Sequence, residues 1–101
     1  MIIREWRGRA TRAKAADYPT HFRANVAPAL QRTPGFLGVH LSQRWLDDGI
    51  EFLVLTRWQS IEAIQAFAGN DIDKAVVEPD AVAALVDFDK GVQHYEVVEE
   101  I

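Results

Sequence analysis

The chain has 101 residues, enough for one domain with a modest core, and its 49% hydrophobic and 26% charged residues place it among soluble globular proteins. A formal net charge of −4, with 11 basic residues dispersed along the chain, disfavours nucleic-acid backbone as a partner. Cysteine is absent, which excludes disulfides, thiolate metal sites and a cysteine nucleophile, and no run approaches the roughly 18 apolar residues of a spanning helix. The N-terminus, MIIREWRGRA, carries arginines where a signal peptide carries its apolar stretch, so the expectation is a cytoplasmic protein with no membrane partner.

Residues Ile2 to Thr11 mix apolar and long polar side chains in the manner of an amphipathic strand. A helix follows, capped by Asp17 or Tyr18, with Pro19 in its first turn and Tyr18, Phe22, Val26 and Leu30 at four-residue intervals on a buried face. Pro28 lacks an N–H and crowds the carbonyl of Ala24, which predicts a bend in one helix rather than two helices. Thr33-Pro34-Gly35 stops it. Phe36 to Leu46 and Ile50 to Trp58 are strand-like and joined by Asp47-Asp48-Gly49, a hairpin signal, so they are expected to pair antiparallel. Ser60 is a good N-cap for a short helix with Ile61, Ile64, Phe67 and Ala68 on one stripe, and Gly69 ends it. After a loop from Asn70 to Glu78, Pro79 opens another helix, with Val82, Leu85 and Val86 on its apolar face. Gly91 to Glu100 reads as the last strand.

This order, strand-helix-strand twice over, predicts a single α+β domain over residues 1–101: a ferredoxin-like βαββαβ fold with helices on one face of an antiparallel sheet. Phe52-Leu53-Val54-Leu55 is apolar on both faces of its strand, whereas the helices cover one. A bare apolar sheet face marks an association surface, and a symmetric homodimer with facing sheets is the simplest solution.

TPGF-x-G at 33 to 38, FLVLTRWQS at 52 to 60, AFAGND at 66 to 71, KAVVEP at 74 to 79 and HYEV at 94 to 97 resemble the antibiotic biosynthesis monooxygenase family, a branch of the dimeric α/β-barrel proteins. The resemblance spans nearly the whole chain and implies oxygenation of a small aromatic or quinol-like molecule without metal or flavin. An electron-rich dihydroxy-aromatic anion can itself reduce dioxygen, so the protein supplies a dry pocket, a base and donors for the anion. No phosphate-binding glycine loop or zinc-protease motif is present, and the expectation is no cofactor and no metal. The family's haem-degrading branch uses an asparagine on the first strand and a tryptophan and histidine around the second helix. Here Glu5, Trp6 and Arg7 occupy mid-strand and no histidine follows AFAG, so that activity does not carry over.

His94 is the expected catalytic base, because a neutral imidazole can take a phenolic proton near neutral pH and Glu96, two positions on, shares its face. Trp58 is expected to roof the pocket between sheet and helix, with Phe67 and His40 as further substrate contacts. Arg44 and Arg57 are expected to favour the charged form of an enolate or phenolate. On the first helix, Tyr18, His21 and Asn25 make a possible pocket wall. Against each stands a structural reading: a half-buried histidine, a core tryptophan, surface arginines paired with carboxylates. The competing function is a non-catalytic small-molecule-binding or stress-associated dimer, distinguished by whether a histidine or arginine turns into an internal void.

Overall fold

The computed structural model describes all residues from Met1 to Ile101. Five strands form one antiparallel sheet: β1 (Ile2–Ala10), β2 (Phe36–Trp45), β3 (Ile50–Trp58), β4 (Asp87–Phe88) and β5 (Gln93–Glu96). Their order is β2-β3-β1, with β4 and β5 sharing the outer edge of β1, β4 opposite Gly8 and Arg9 and β5 opposite Ile2 to Glu5. This is the expected ferredoxin-like arrangement, with its last strand broken in two. The expected strand from Gly91 to Glu100 therefore starts later, stops earlier and is preceded by a separate pairing. The break reflects local partners: the Trp6 indole N–H donates to the Asp89 carbonyl at 2.7 Å, and the Asp89 N–H bonds the Arg7 carbonyl, which holds the chain off regular register.

Strand parity sorts the sheet into two faces. Ile50, Phe52, Val54, Thr56 and Trp58 of β3 are buried beneath the helices, and register aligns them with Ile2, Arg4, Trp6, Gly8 and Ala10 of β1. Leu53 and Leu55 face the other way, flanked across the register by Ser42 and Arg7, and by His40 and Glu5. The open face is thus mixed rather than bare apolar: two half-buried leucines stand among charged neighbours, including Arg44 bonded to Glu51 at 2.8 Å.

The first helix, residues 17–31, is an α-helical turn (Asp17–His21), a π-helical stretch (Phe22–Val26) and a second α-helical piece (Ala27–Gln31). Pro28 expresses itself as this wide turn: the Ala27 N–H reaches the Phe22 carbonyl, and the widening relieves the crowding a proline ring imposes on the turn before it. Tyr18, Phe22 and Leu30 are buried as predicted and Val26 half-buried, but Ala16, without a side-chain cap, precedes the helix in place of Asp17 or Tyr18. Gly35 has φ +89° and sits against Ala63, where any Cβ would collide, so glycine is required at this turn into β2.

Ser60 caps the second helix (Ile61–Ala68), its hydroxyl accepting from the Ala63 N–H at 3.2 Å, and Gly69 follows with φ +85°. The third helix (Pro79–Ala84) differs from expectation in its face: Ala81 and Ala84 are buried, while Val82 and Val86 are exposed. The helix ends at Ala84, too short for the predicted stripe to form, and Ala81 and Ala84 join the core where the helix packs on the first helix. Trp58, Phe52, Leu30, Ile50 and Ile64 form the centre of the core.

Candidate functional site

A cavity of about 60 Å³ lies between the helical face of the sheet and the helices. Its wall comes from β1 (Arg4, Trp6), β3 (Val54, Thr56), the first and second helices (Tyr18, His21, Phe67 among them) and the segment at Val76 to Glu78. The wall is mainly apolar, with a few polar groups, which is the usual constitution of a small-molecule site. On the other side of Val26, Phe67, Val76 and Glu78, which line both spaces, a surface groove of about 430 Å³ opens to solvent. The partition is a pair of side chains from helices and a segment without regular secondary structure.

Arg4 dominates the site electrostatically. It is 6% exposed, because its even position on β1 puts it in the same set as Ile2, Trp6, Gly8 and Ala10. Its guanidinium donates to the Ile72 carbonyl, to the Lys74 carbonyl at 3.2 Å and to His94 Nε2 at 2.9 Å. These contacts tie the cavity's cation to the 70–78 segment. Burial lowers its pKa and Asp73 partly offsets the effect, but a guanidinium stays protonated throughout.

His94 lies opposite Arg4 in the β1–β5 register. A guanidinium has only donors, so Nε2 is the acceptor and the ring proton sits on Nδ1, which is 3.4 Å from Asp73 Oδ1. Burial, then the Arg4 charge, hold the His94 pKa below the ordinary imidazole value, with Asp73 opposing them. The expected partnership with Glu96 is replaced: Glu96 is exposed opposite Ile2, and the carboxylate beside His94 is Asp73, delivered by the loop. The lone pair of His94 is occupied by Arg4, and His94 stands behind Arg4 instead of lining the cavity.

On the opposite wall, His21 is 8% exposed. The Asn25 amide nitrogen donates to both the His21 carbonyl and Nδ1, which leaves the proton on Nε2, and that atom is buried without a partner. Tyr18 packs 6.2 Å from the His21 ring, and burial, reinforced by Glu78, raises its phenol pKa far above the usual range, so it stays neutral.

Of the substrate contacts expected from sequence, Phe67 lines the cavity and Trp58 does not. Trp58 is fully buried, 5.6 Å from the Phe67 ring, with its indole N–H committed to the Thr56 hydroxyl at 2.8 Å. His40, Arg44 and Arg57 all lie on the open face, where Arg57 donates to His40 Nδ1 at 3.1 Å and Arg44 to Glu51. Parity explains this: His40, Arg44 and Arg57 align with Glu5, Arg9 and Ile3, not with Arg4. Sheet faces also separate His40 from His94, so these two histidines cannot share a metal ion. Trp45 is half exposed under the Arg12 guanidinium. Sequence reasoning passed over Arg4, although a lone charge among the even, apolar positions of β1 was its available signal.

The antibiotic biosynthesis monooxygenase family model matches residues 1–79. The chain matches none of the curated proteins. Among solved structures, it is similar to a structure assigned to antibiotic biosynthesis monooxygenases from Caulobacter crescentus CB15, with TM-score 0.74 and 22% identity over 97% of this chain and 90% of that one. SnoaB, a cofactor-independent oxygenase from Streptomyces nogalater, aligns with TM-score 0.64 and 18% identity over 99% and 96% of the two chains. MhuD, a haem-degrader from Mycobacterium tuberculosis, aligns with TM-score 0.61 and 24% identity over 100% and 99%. Solved relatives with this fold thus include both a cofactor-independent oxygenase and a haem-degrader, and the chain belongs to the antibiotic biosynthesis monooxygenase family.

Proposed function

We propose that this protein is a cofactor-independent monooxygenase acting on a small aromatic or quinol-like molecule bound between the sheet and the helices. The observation that carries the reading is the buried Arg4 guanidinium on the wall of a mainly apolar cavity. In such surroundings a cation attracts a phenolate or enolate far more strongly than it would in water, which lowers the substrate's pKa and makes it a reductant for dioxygen. With a methylene carbon flanked by aromatic rings, a carbon–oxygen bond forms, the O–O bond breaks, one oxygen atom becomes the ketone and the other leaves with both methylene hydrogens as water.

Arg4 takes the anion-stabilising role that sequence reasoning assigned to Arg44 or Arg57, and His94 becomes a positioning residue that acts through Arg4. At about 60 Å³ the cavity holds a few water molecules, well short of the ~300 Å³ of an ordinary ligand pocket, so substrate entry requires the Phe67 and Val76 partition to move and join cavity to groove. The same segment carries the Ile72 and Lys74 carbonyls on Arg4. A substrate anion therefore shares the guanidinium with the protein's own loop. We further propose a homodimer through the open sheet face, centred on Leu53 and Leu55.

Oxygen uptake by metal-stripped protein with anthrones, naphthoquinols and catechols tests the oxygenase reading. Acceleration over buffer is expected with at least one substrate. Rates equal to buffer across the panel, with saturable binding of the same compounds, would instead favour a binding protein.

A further inference from the structure

Three hydrogen-bond donors on residues of the cavity wall have no protein acceptor. Of the five guanidinium N–H groups of Arg4, three serve Ile72, Lys74 and His94, and Nε–H and one Nη2–H are unspent. The third is His21 Nε2–H, buried and unpartnered, on a residue whose other ring nitrogen is fixed by Asn25. A buried donor left unmade costs about 1–3 kcal/mol, so the His21 group favours a ligand that brings an acceptor, and the unspent Arg4 donors can serve the same ligand.

Charge narrows the ligand further. No carboxylate touches Arg4 directly; Asp73 acts on it through space and meets it by contact only through His94, and its own side chain is largely in solvent. The wall therefore presents one cation without a direct counter-ion. Glu78, exposed at the edge of the cavity, presents one negative charge, and its field already acts on Tyr18. Apart from Thr56, whose hydroxyl accepts from Trp58, the remaining wall, including Trp6, Val54, Val77 and Val92, is apolar.

We propose that the cavity selects planar aromatic monoanions, the charged oxygen taken by Arg4 with His21 Nε2–H as the second donor, and that Glu78 discriminates against a second negative charge. The proposal rests on the site of the oxygenase reading but not on its chemistry. An uncharged aromatic amide of the same shape leaves the Arg4 charge unanswered, and a dicarboxylate sets its second charge against Glu78.

The test is titration of the full-length protein with benzoate, benzamide and phthalate, followed by nuclear magnetic resonance at the His21 ring. Benzoate is expected to bind at least tenfold more tightly than benzamide and phthalate no more tightly than benzoate, with the His21 Nε2–H resonance shifting on benzoate binding. Arg4→Met abolishes the preference for benzoate. Because that variant removes contacts that hold the 70–78 segment, Glu78→Gln provides an independent arm: it tightens phthalate several-fold and more than it tightens benzoate. Equal affinity for benzoate and benzamide, no saturable benzoate binding, or unchanged phthalate affinity in Glu78→Gln overturns the proposal. Oxygen uptake with uncharged quinols in the same preparation reports on the oxygenase reading separately.

Discussion

Replacing Arg4 by methionine isolates what the buried guanidinium does for the fold. Methionine fills a similar volume and matches the apolar set of Ile2, Trp6, Gly8 and Ala10, so packing on β1 is largely kept. Three donors disappear, and the carbonyls of Ile72 and Lys74 and the Nε2 of His94 lose them. A buried acceptor left unpaired costs about 1–3 kcal/mol, but these contacts are only part-buried and water can replace some of them. Removing a desolvated cation returns part of that cost. The balance is a loss of about 1–3 kcal/mol, read as a lower urea midpoint at unchanged m-value. Its location is as diagnostic as its size. The Ala75 N–H bonds the Lys90 carbonyl and the Val92 N–H bonds the Asp73 carbonyl, so both amides should exchange faster when Arg4 no longer holds the segment. Arg4→Met and His94→Gln should also couple non-additively, by about 0.5–3 kcal/mol, as residues in contact do. Wild-type stability in Arg4→Met, together with unchanged exchange at Ala75 and Val92, would refute the claim that the guanidinium anchors this loop.

His94 gives a pH prediction: its folded pKa lies below the ordinary 6.5, so the unfolded state binds the extra proton first, and stability is full above that value and falls as pH drops towards the folded pKa. Urea midpoints measured across this range should slope in wild type and flatten in His94→Gln. Trp58→Phe loses the bond to Thr56 and part of a fully buried ring, for a cost of about 1–3 kcal/mol by thermal unfolding, yet leaves aromatic-ligand affinity within about twofold because Trp58 does not line the cavity. A Leu53→Glu, Leu55→Glu double variant should sediment as a folded monomer where the parent sediments as a dimer. A parent that is monomeric at micromolar concentration contradicts the open-face interface.

The fold was legible because its signals are local and redundant. Asp47-Asp48-Gly49 between two apolar runs and Ser60 three residues ahead of Ala63 each specify their turn without tertiary help, and Gly35 between helix and strand marks its own. The last strand was less legible because its break depends on the Trp6 indole finding the Asp89 carbonyl, a contact between residues 83 apart in sequence. The site failed to emerge for a related reason. Residue type and nearness to strand ends point to Arg44 and Arg57, whereas the sheet selects by parity, which buries Arg4. Asp73 could not be foreseen as the partner of His94, since it arrives on a loop whose path no periodicity encodes. The first-helix wall of Tyr18 and His21 was visible at four-residue spacing, but the orphaned Nε2 that gives it chemical meaning appears only once packing is known.

The most direct test of the central claim is single-turnover reaction of the metal-stripped protein with ¹⁸O-labelled dioxygen and an anthrone, with wild type, Arg4→Met and Arg57→Gln side by side. The account predicts one labelled oxygen atom in the ketone and the other in water, at a rate that collapses in Arg4→Met and persists in Arg57→Gln, whose residue lies on the open face. Label incorporation at the uncatalysed rate in wild type, or equal rates in wild type and a folded Arg4→Met, would contradict it.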